Sequence, residues 1–126
     1  MLNNKLIMED IIKLDNLEIF NLKISELLHA IKYNDFEKYA DLYNYEVKKK
    51  EEYSEIEYKR LVQLAAILDY KFIGSQYMNK WFKSEELYLE VPFFSSDVDR
   101  EYLFFFAPQQ FMRHNVFYDR YELEVL

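Results

Sequence analysis

An α+β fold is what this sequence predicts, with N-terminal helices over about residues 7–82 packed on a C-terminal three-stranded antiparallel β-meander over about residues 86–126. Two observations predict it. Apolar residues recur at the helical period through the first two thirds of the chain, and from Glu86 onward they recur at every second residue. With 126 residues, 51% hydrophobic and 31% charged, the chain is expected to form a single domain whose core needs no metal or disulfide staple.

Taken in order, Ile7, Ile11 and Leu14 predict a short leading helix. Leu17, Phe20, Ile24, Leu27, Leu28 and Ile31 form a nearly complete i, i+3, i+4, i+7 ladder, with Glu18, Lys23, Glu26 and Lys32 opposite. Asn34-Asp35 should stop that helix. A second ladder, Phe36, Tyr39, Ala40, Tyr43 and Val47, predicts a helix that runs on into Lys48-Lys49-Lys50-Glu51-Glu52. Ser54 and Glu57 have capping-box spacing ahead of Leu61, Leu64, Ala65 and Leu68, and Gly74 is placed to end that helix. A helical turn is expected around Gln76 to Phe82, anchored by Trp81 and Phe82. Beyond it, Leu87, Leu89 and Val91 alternate with Tyr88 and Glu90 up to Pro92 and predict the first strand. Ser95-Ser96-Asp97 is turn chemistry before a second strand, Arg100 to Ala107, whose Leu103-Phe104-Phe105-Phe106 core is apolar on both faces. Pro108 to Asn115 is the longer connection, and Tyr121, Leu123 and Val125 alternate in the last strand.

The inventory excludes several chemistries. No cysteine removes thiol catalysis and Cys-ligated metals, and a single glycine removes phosphate-cradling and dinucleotide loops. No cofactor is expected. Acidic residues interrupt every hydrophobic run before membrane-spanning length, and Met1 to Glu9 lacks a signal-like apolar stretch, so a cytoplasmic protein is expected. Twelve lysines against four arginines, with frequent Asn, Ile and Tyr, suggest an AT-rich genome of bacterial or phage type.

Charge is the most informative quantity. The chain carries a net −7, yet residues 1–83 hold 14 acids against 13 bases. Residues 84–126 hold nine acids against three arginines, a net −6, together with eleven aromatic residues. A field of that sign repels nucleic-acid phosphate and attracts basic partners. The partner-binding set expected from this pattern is Glu90, Asp97, Asp99, Glu101, Asp119, Glu122 and Glu124, with Tyr88, Phe93, Phe94, Tyr118 and Tyr121 as aromatic anchors. Alternation alone also predicts charged outer faces and an aromatic core.

Other constellations are weaker. Asp97, Asp99 and Glu101 at every second position could hold a hard cation, but Tyr102 and Pro108 occupy the places where a calcium loop needs glycine and glutamate. His114 with Asp119 or a tyrosine would make a base with an orienting group, though no nucleophile is partnered with it, and no catalytic residue is assigned. The basic cluster Lys48-Lys49-Lys50 with Lys59 and Arg60 is interleaved with Glu46, Glu51, Glu52, Glu55 and Glu57, which makes i, i+4 pairs rather than a phosphate-binding patch. The expected function is a non-enzymatic inhibitor that sets its acidic aromatic C-terminal sheet into the basic nucleic-acid groove of a nuclease as a phosphate mimic. Small size, acidity and the lack of a catalytic inventory match the general profile of toxin-immunity proteins and of phage-encoded nuclease inhibitors, anti-CRISPR proteins included. The first alternative is an oligomeric scaffold or regulatory subunit, a homodimer for example, that associates through Leu103–Phe106. The second is a small enzyme or metal-binding protein using His114 or Asp97, Asp99 and Glu101.

Overall fold

The computed structural model describes residues 5–95 and 100–118, apart from the side chain of Phe106. It divides into two units, Met1–Leu61 and Val62–Leu126, and helix α4 (Glu55–Lys71) begins in the first and ends in the second.

In the first unit α4 is preceded by α1 (Met8–Ile12), α2 (Leu17–Lys32) and α3 (Phe36–Tyr43). Ile7 has no side-chain group with which to cap α1, so Asp41 Oδ2 of α3 accepts the Met8 N–H at 2.8 Å and sets a carboxylate at that helix N-terminus. Asn16 caps α2 by accepting the Ile19 N–H at 3.1 Å, and the helix buries Phe20, Ile24, Leu27, Leu28 and Ala30. Leu17, the first rung of the predicted ladder, is exposed. The helix stops at the predicted place. Asn34 takes a left-handed φ of 56°, the Asp35 N–H donates to the Ala30 carbonyl at 2.8 Å, and the Asn34 N–H donates to that of Ile31 at 3.2 Å.

Helix α3 ends earlier than its apolar ladder suggests. After Asn44 the backbone is irregular to Lys49, and it is pinned by a pair of phenols. The Tyr45 and Tyr53 hydroxyls are 2.7 Å apart, and that of Tyr53 also accepts the Lys48 N–H at 2.9 Å. Burial first, and then this hydrogen bond, pushes the Tyr45 hydroxyl well above the ordinary phenol range. The predicted capping box is formed. Ser54 N–H donates to Glu57 Oε1 at 2.7 Å, and Glu57 N–H donates back to Ser54 Oγ at 3.2 Å.

Every residue of α4 from Arg60 to Asp69 is buried, so the helix is enclosed on all sides rather than on the one face its ladder predicts. Burial obliges its polar residues to find partners. Arg60 donates from Nε to the Leu14 carbonyl at 2.9 Å and from Nη2 to that of Asp15 at 3.0 Å, with its guanidinium 4.8 Å from the Phe20 ring centre. It therefore belongs to the interior of its unit and ties down the loop between α1 and α2. Lys48 pairs with Glu9 at 3.3 Å and Lys50 lies over the Tyr58 ring, so these two lysines of the cluster are also engaged within the unit.

The second unit corrects the predicted fold class. The molecule is mostly helical, 61% of it, and the three-stranded antiparallel meander is not formed. Among the described residues the sheet is one parallel pair, β1 (Phe93–Phe94) and β2 (Val116–Phe117), with Phe93 opposite Val116 and Phe94 opposite Phe117. A parallel pair needs a crossover between its strands. That crossover is helical, made of α5 (Arg100–Phe106) and α6 (Gln109–His114), where a strand and a loop were expected. Among the described side chains of α5 Leu103 alone is buried while Glu101, Tyr102, Phe104 and Phe105 are exposed, a pattern without period two. In α6, Phe111 and His114 share the buried face at i, i+3 spacing. The first predicted strand keeps its alternation, with Leu87 and Leu89 buried and Tyr88 and Glu90 exposed. Among the described residues it pairs with no strand, and the Leu89 N–H donates to the His114 carbonyl at the end of α6, at 3.2 Å. The last predicted strand lies outside the described residues.

Candidate functional site

Among the described residues of the second unit a dense polar cluster surrounds Asp69, in the last turn of α4 and fully buried. Lys83 Nζ donates to its Oδ1 at 2.7 Å. Arg113 Nη2 lies 2.6 Å from both carboxylate oxygens, and His114 Nε2 lies 2.9 Å from Oδ2. Lys83 also donates to the Asp69 main-chain carbonyl at 3.0 Å, which satisfies an acceptor that the helix end leaves open. The four carboxylate contacts use the whole acceptor capacity of the group. Burial alone would raise the Asp69 carboxyl above its ordinary value. The hydrogen bonds from His114 and Lys83, and the charges of Lys83 and Arg113, outweigh it and hold the group below that value, so Asp69 is a carboxylate.

Each member is delivered by a different local rule. Lys83 closes the 3-10 turn Trp81–Lys83, whose Phe82 is fully buried and anchors it. Arg113 and His114 end α6, which stops at Asn115 in the left-handed conformation, φ 58° and ψ 39°. Asn115 then donates from Nδ2 to the Leu89 carbonyl at 2.7 Å. His114 Nδ1 lies 2.6 Å from the Leu87 carbonyl oxygen. Asp69 thereby links α4, the turn at 81–83, the end of α6 and the segment around Leu87. His114 is 1% exposed, and both ring nitrogens already face protein oxygens. Its described partners are Asp69 and the Leu87 carbonyl, which hold the ring within the interior of the unit, and the expected partner Asp119 lies outside the described residues. Lys83 and Asp69 carry opposite charges 14 residues apart, and nothing in local spacing joins them.

The sequence-predicted partner-binding residues separate in space. Glu90 and Tyr88 are exposed, Tyr88 at 47%. Glu101 is exposed in the first turn of α5. Phe93 and Tyr118 are buried, their rings 5.6 Å apart, and Tyr118 also accepts a hydrogen bond from Gln63 at 3.1 Å, so both serve the core. Phe94 is half-buried, stacked on Phe117 at 5.0 Å with the Arg100 guanidinium 5.1 Å from its centre. Asp97, Asp99, Asp119, Tyr121, Glu122 and Glu124 lie outside the described residues.

The outer face of α5 carries rings that the anchor set omitted. Phe105 is 74% exposed and Phe104 49%, with Tyr102 beside them. Phe104 packs edge-on to Phe105 and lies 5.7 Å from Phe117, so the exposed rings continue into the Phe117–Phe94 stack. Read as a strand, this run had no single outer face; as a helix it buries Leu103 and presents Phe104 and Phe105. No protein-family model, curated protein or solved structure matches the chain.

Proposed function

We propose that this chain is a non-enzymatic binding protein of the inhibitor type, whose acidic aromatic surface on the second unit occupies the basic groove of a nucleic-acid-binding enzyme. The observation that carries the reading is the exposure of Phe105 and Phe104 on a helix whose first turn bears Glu101, within a stretch of net charge −6. Exposed aromatic rings supply the anchors that dominate interface energies, and surrounding carboxylates favour a partner built to hold phosphates. The Asp69 cluster supports this face from within, by tying α6 and the Leu87 segment to α4.

The test is capture by the tagged protein at low salt, followed by elution with a salt gradient and, separately, with duplex DNA. A basic nucleic-acid-binding protein released by both agents, and no longer captured by Phe105→Ala, is the expected result. Retention that ignores DNA and ignores a rise from about 0.05 M to about 0.5 M salt overturns the reading, because exposed charge attraction is screened over that range. The same pair of rings supports a second reading, association of two copies through α5. A dimer at micromolar concentration that Phe105→Glu dissociates would favour it.

A further inference from the structure

We infer that His114 is a doubly protonated imidazolium in the folded protein, and that its second ring proton clamps the segment around Leu87 to α4. The argument is one of donors and acceptors. Nδ1 lies 2.6 Å from the Leu87 carbonyl oxygen, which can only accept. Nε2 lies 2.9 Å from Asp69 Oδ2, and an ionised carboxylate can only accept. A neutral imidazole has one N–H and one lone pair, so it would set a lone pair against an oxygen at one of the two positions. Only a ring that donates from both nitrogens satisfies both contacts, and at 1% exposure no solvent replaces a lost one.

The groups facing the ring from each side are consistent with this. From α4 comes the Asp69 carboxylate, which favours a charged ring. Lys83, from the turn at 81–83, and Arg113, from α6 itself, oppose a further positive charge, but each lies against the same carboxylate. The Leu87 segment offers a carbonyl, with Glu85 and Glu86 exposed beside it, and β2 offers only Val116 and Phe117. The bond from Nε2 to the carboxylate is charge-assisted and stronger than the bond from Nδ1 to a neutral carbonyl, so the second proton leaves from Nδ1 and the ring gives up Leu87. The segment then keeps its neighbouring bonds, among them those from the Leu87 N–H to the Ser84 carbonyl, from the Leu89 N–H to the His114 carbonyl and from Asn115 to the Leu89 carbonyl. The result is a proton-dependent latch on a stretch that carries the exposed Tyr88 and Glu90.

The experiment is nitrogen-15 NMR of the histidine rings in the 126-residue chain, with the exposed His29 as the second signal, alongside hydrogen exchange of the Leu89 amide across rising pH. Both His114 nitrogens should carry protons near neutral pH. Deprotonation should lower the protection of the Leu89 N–H relative to that of Phe20, by up to about tenfold per pH unit. In Asp69→Asn the side-chain amide can donate to Nε2, so a folded variant should show a ring protonated at Nδ1 alone. A wild-type ring with one proton across pH 6 to 8, or Leu89 protection that ignores the loss of the proton, overturns the inference. Should Asp69→Asn fail to fold, the wild-type ring protonation decides.

Discussion

At the scale of single residues, Asp69 gathers a concentrated set of interactions, because one buried carboxylate answers three donor side chains. Asp69→Ala leaves Lys83 and His114 buried without their counter-charge, a loss of about 3–5 kcal/mol typical of a broken buried ion pair. Urea unfolding measures it, and an effect below about 1 kcal/mol would contradict the geometry. The same carboxylate sets an acid limit. Its folded-state affinity for a proton is depressed, so its contribution is fully present above the ordinary aspartate value of about 4 and is lost as pH falls below that into the folded-state range. Thermal unfolding between about pH 5 and pH 2 should therefore show a falling midpoint in the wild type and a shallower fall in Asp69→Asn. Arg60 is a parallel case in the first unit. It bonds two loop carbonyls from a planar fork and lies over Phe20, so Arg60→Lys removes geometry that a single ammonium cannot restore.

Helices end at two asparagines with left-handed backbone, and the two ends make a prediction at the scale of the element. Asn34, φ 56°, serves the turn after α2, whereas Asn115, φ 58°, serves the turn after α6 and also bonds the Leu89 carbonyl through its side chain. Glycine adopts that φ without strain. Asn34→Gly should leave the unfolding free energy within about 0.5 kcal/mol of wild type, while Asn115→Gly should cost about 1 kcal/mol more through the lost side-chain bond. Equal effects would show that the Asn115 side chain contributes nothing beyond its turn. These elements also show what was legible in the sequence. The Leu17 to Ile31 ladder, the stop at Asn34 and the Ser54–Glu57 box are local signals, and the helices follow them. The run from Leu103 to Phe106 is too short for its period to separate helix from strand, and aromatic content tips such a run toward strand. The outcome is decided by the crossover that parallel β1 and β2 require, which pairs residues 23 positions apart and leaves no local trace. The same distance hides the Asp69 cluster, since its members span α4 to α6 and only their burial reveals that they must pair.

For the whole molecule the governing quantity is charge. A net −7 and a sequence pI near 4.9 give the chain a field that acts on a partner before any side chain touches it. Glu90 and Glu101 are exposed, and both lie in the stretch that holds nearly all of the net charge. Reversing both, as Glu90→Lys with Glu101→Lys, changes the net charge by four without removing a buried contact. The unfolding midpoint should hardly move, since exposed single charges contribute well under about 1 kcal/mol each. If the chain binds the basic partner proposed above, that association should slow by about tenfold or more in low salt, and the difference should close as salt screens the field. The salt dependence separates two ways in which the acids could act. A deficit that vanishes near about 0.5 M salt means that the carboxylates steer the partner from a distance, leaving the α5 rings to supply the affinity. A deficit that persists, expressed in the dissociation rate, means that Glu90 or Glu101 is paired inside the interface, where desolvation shields the contact from screening.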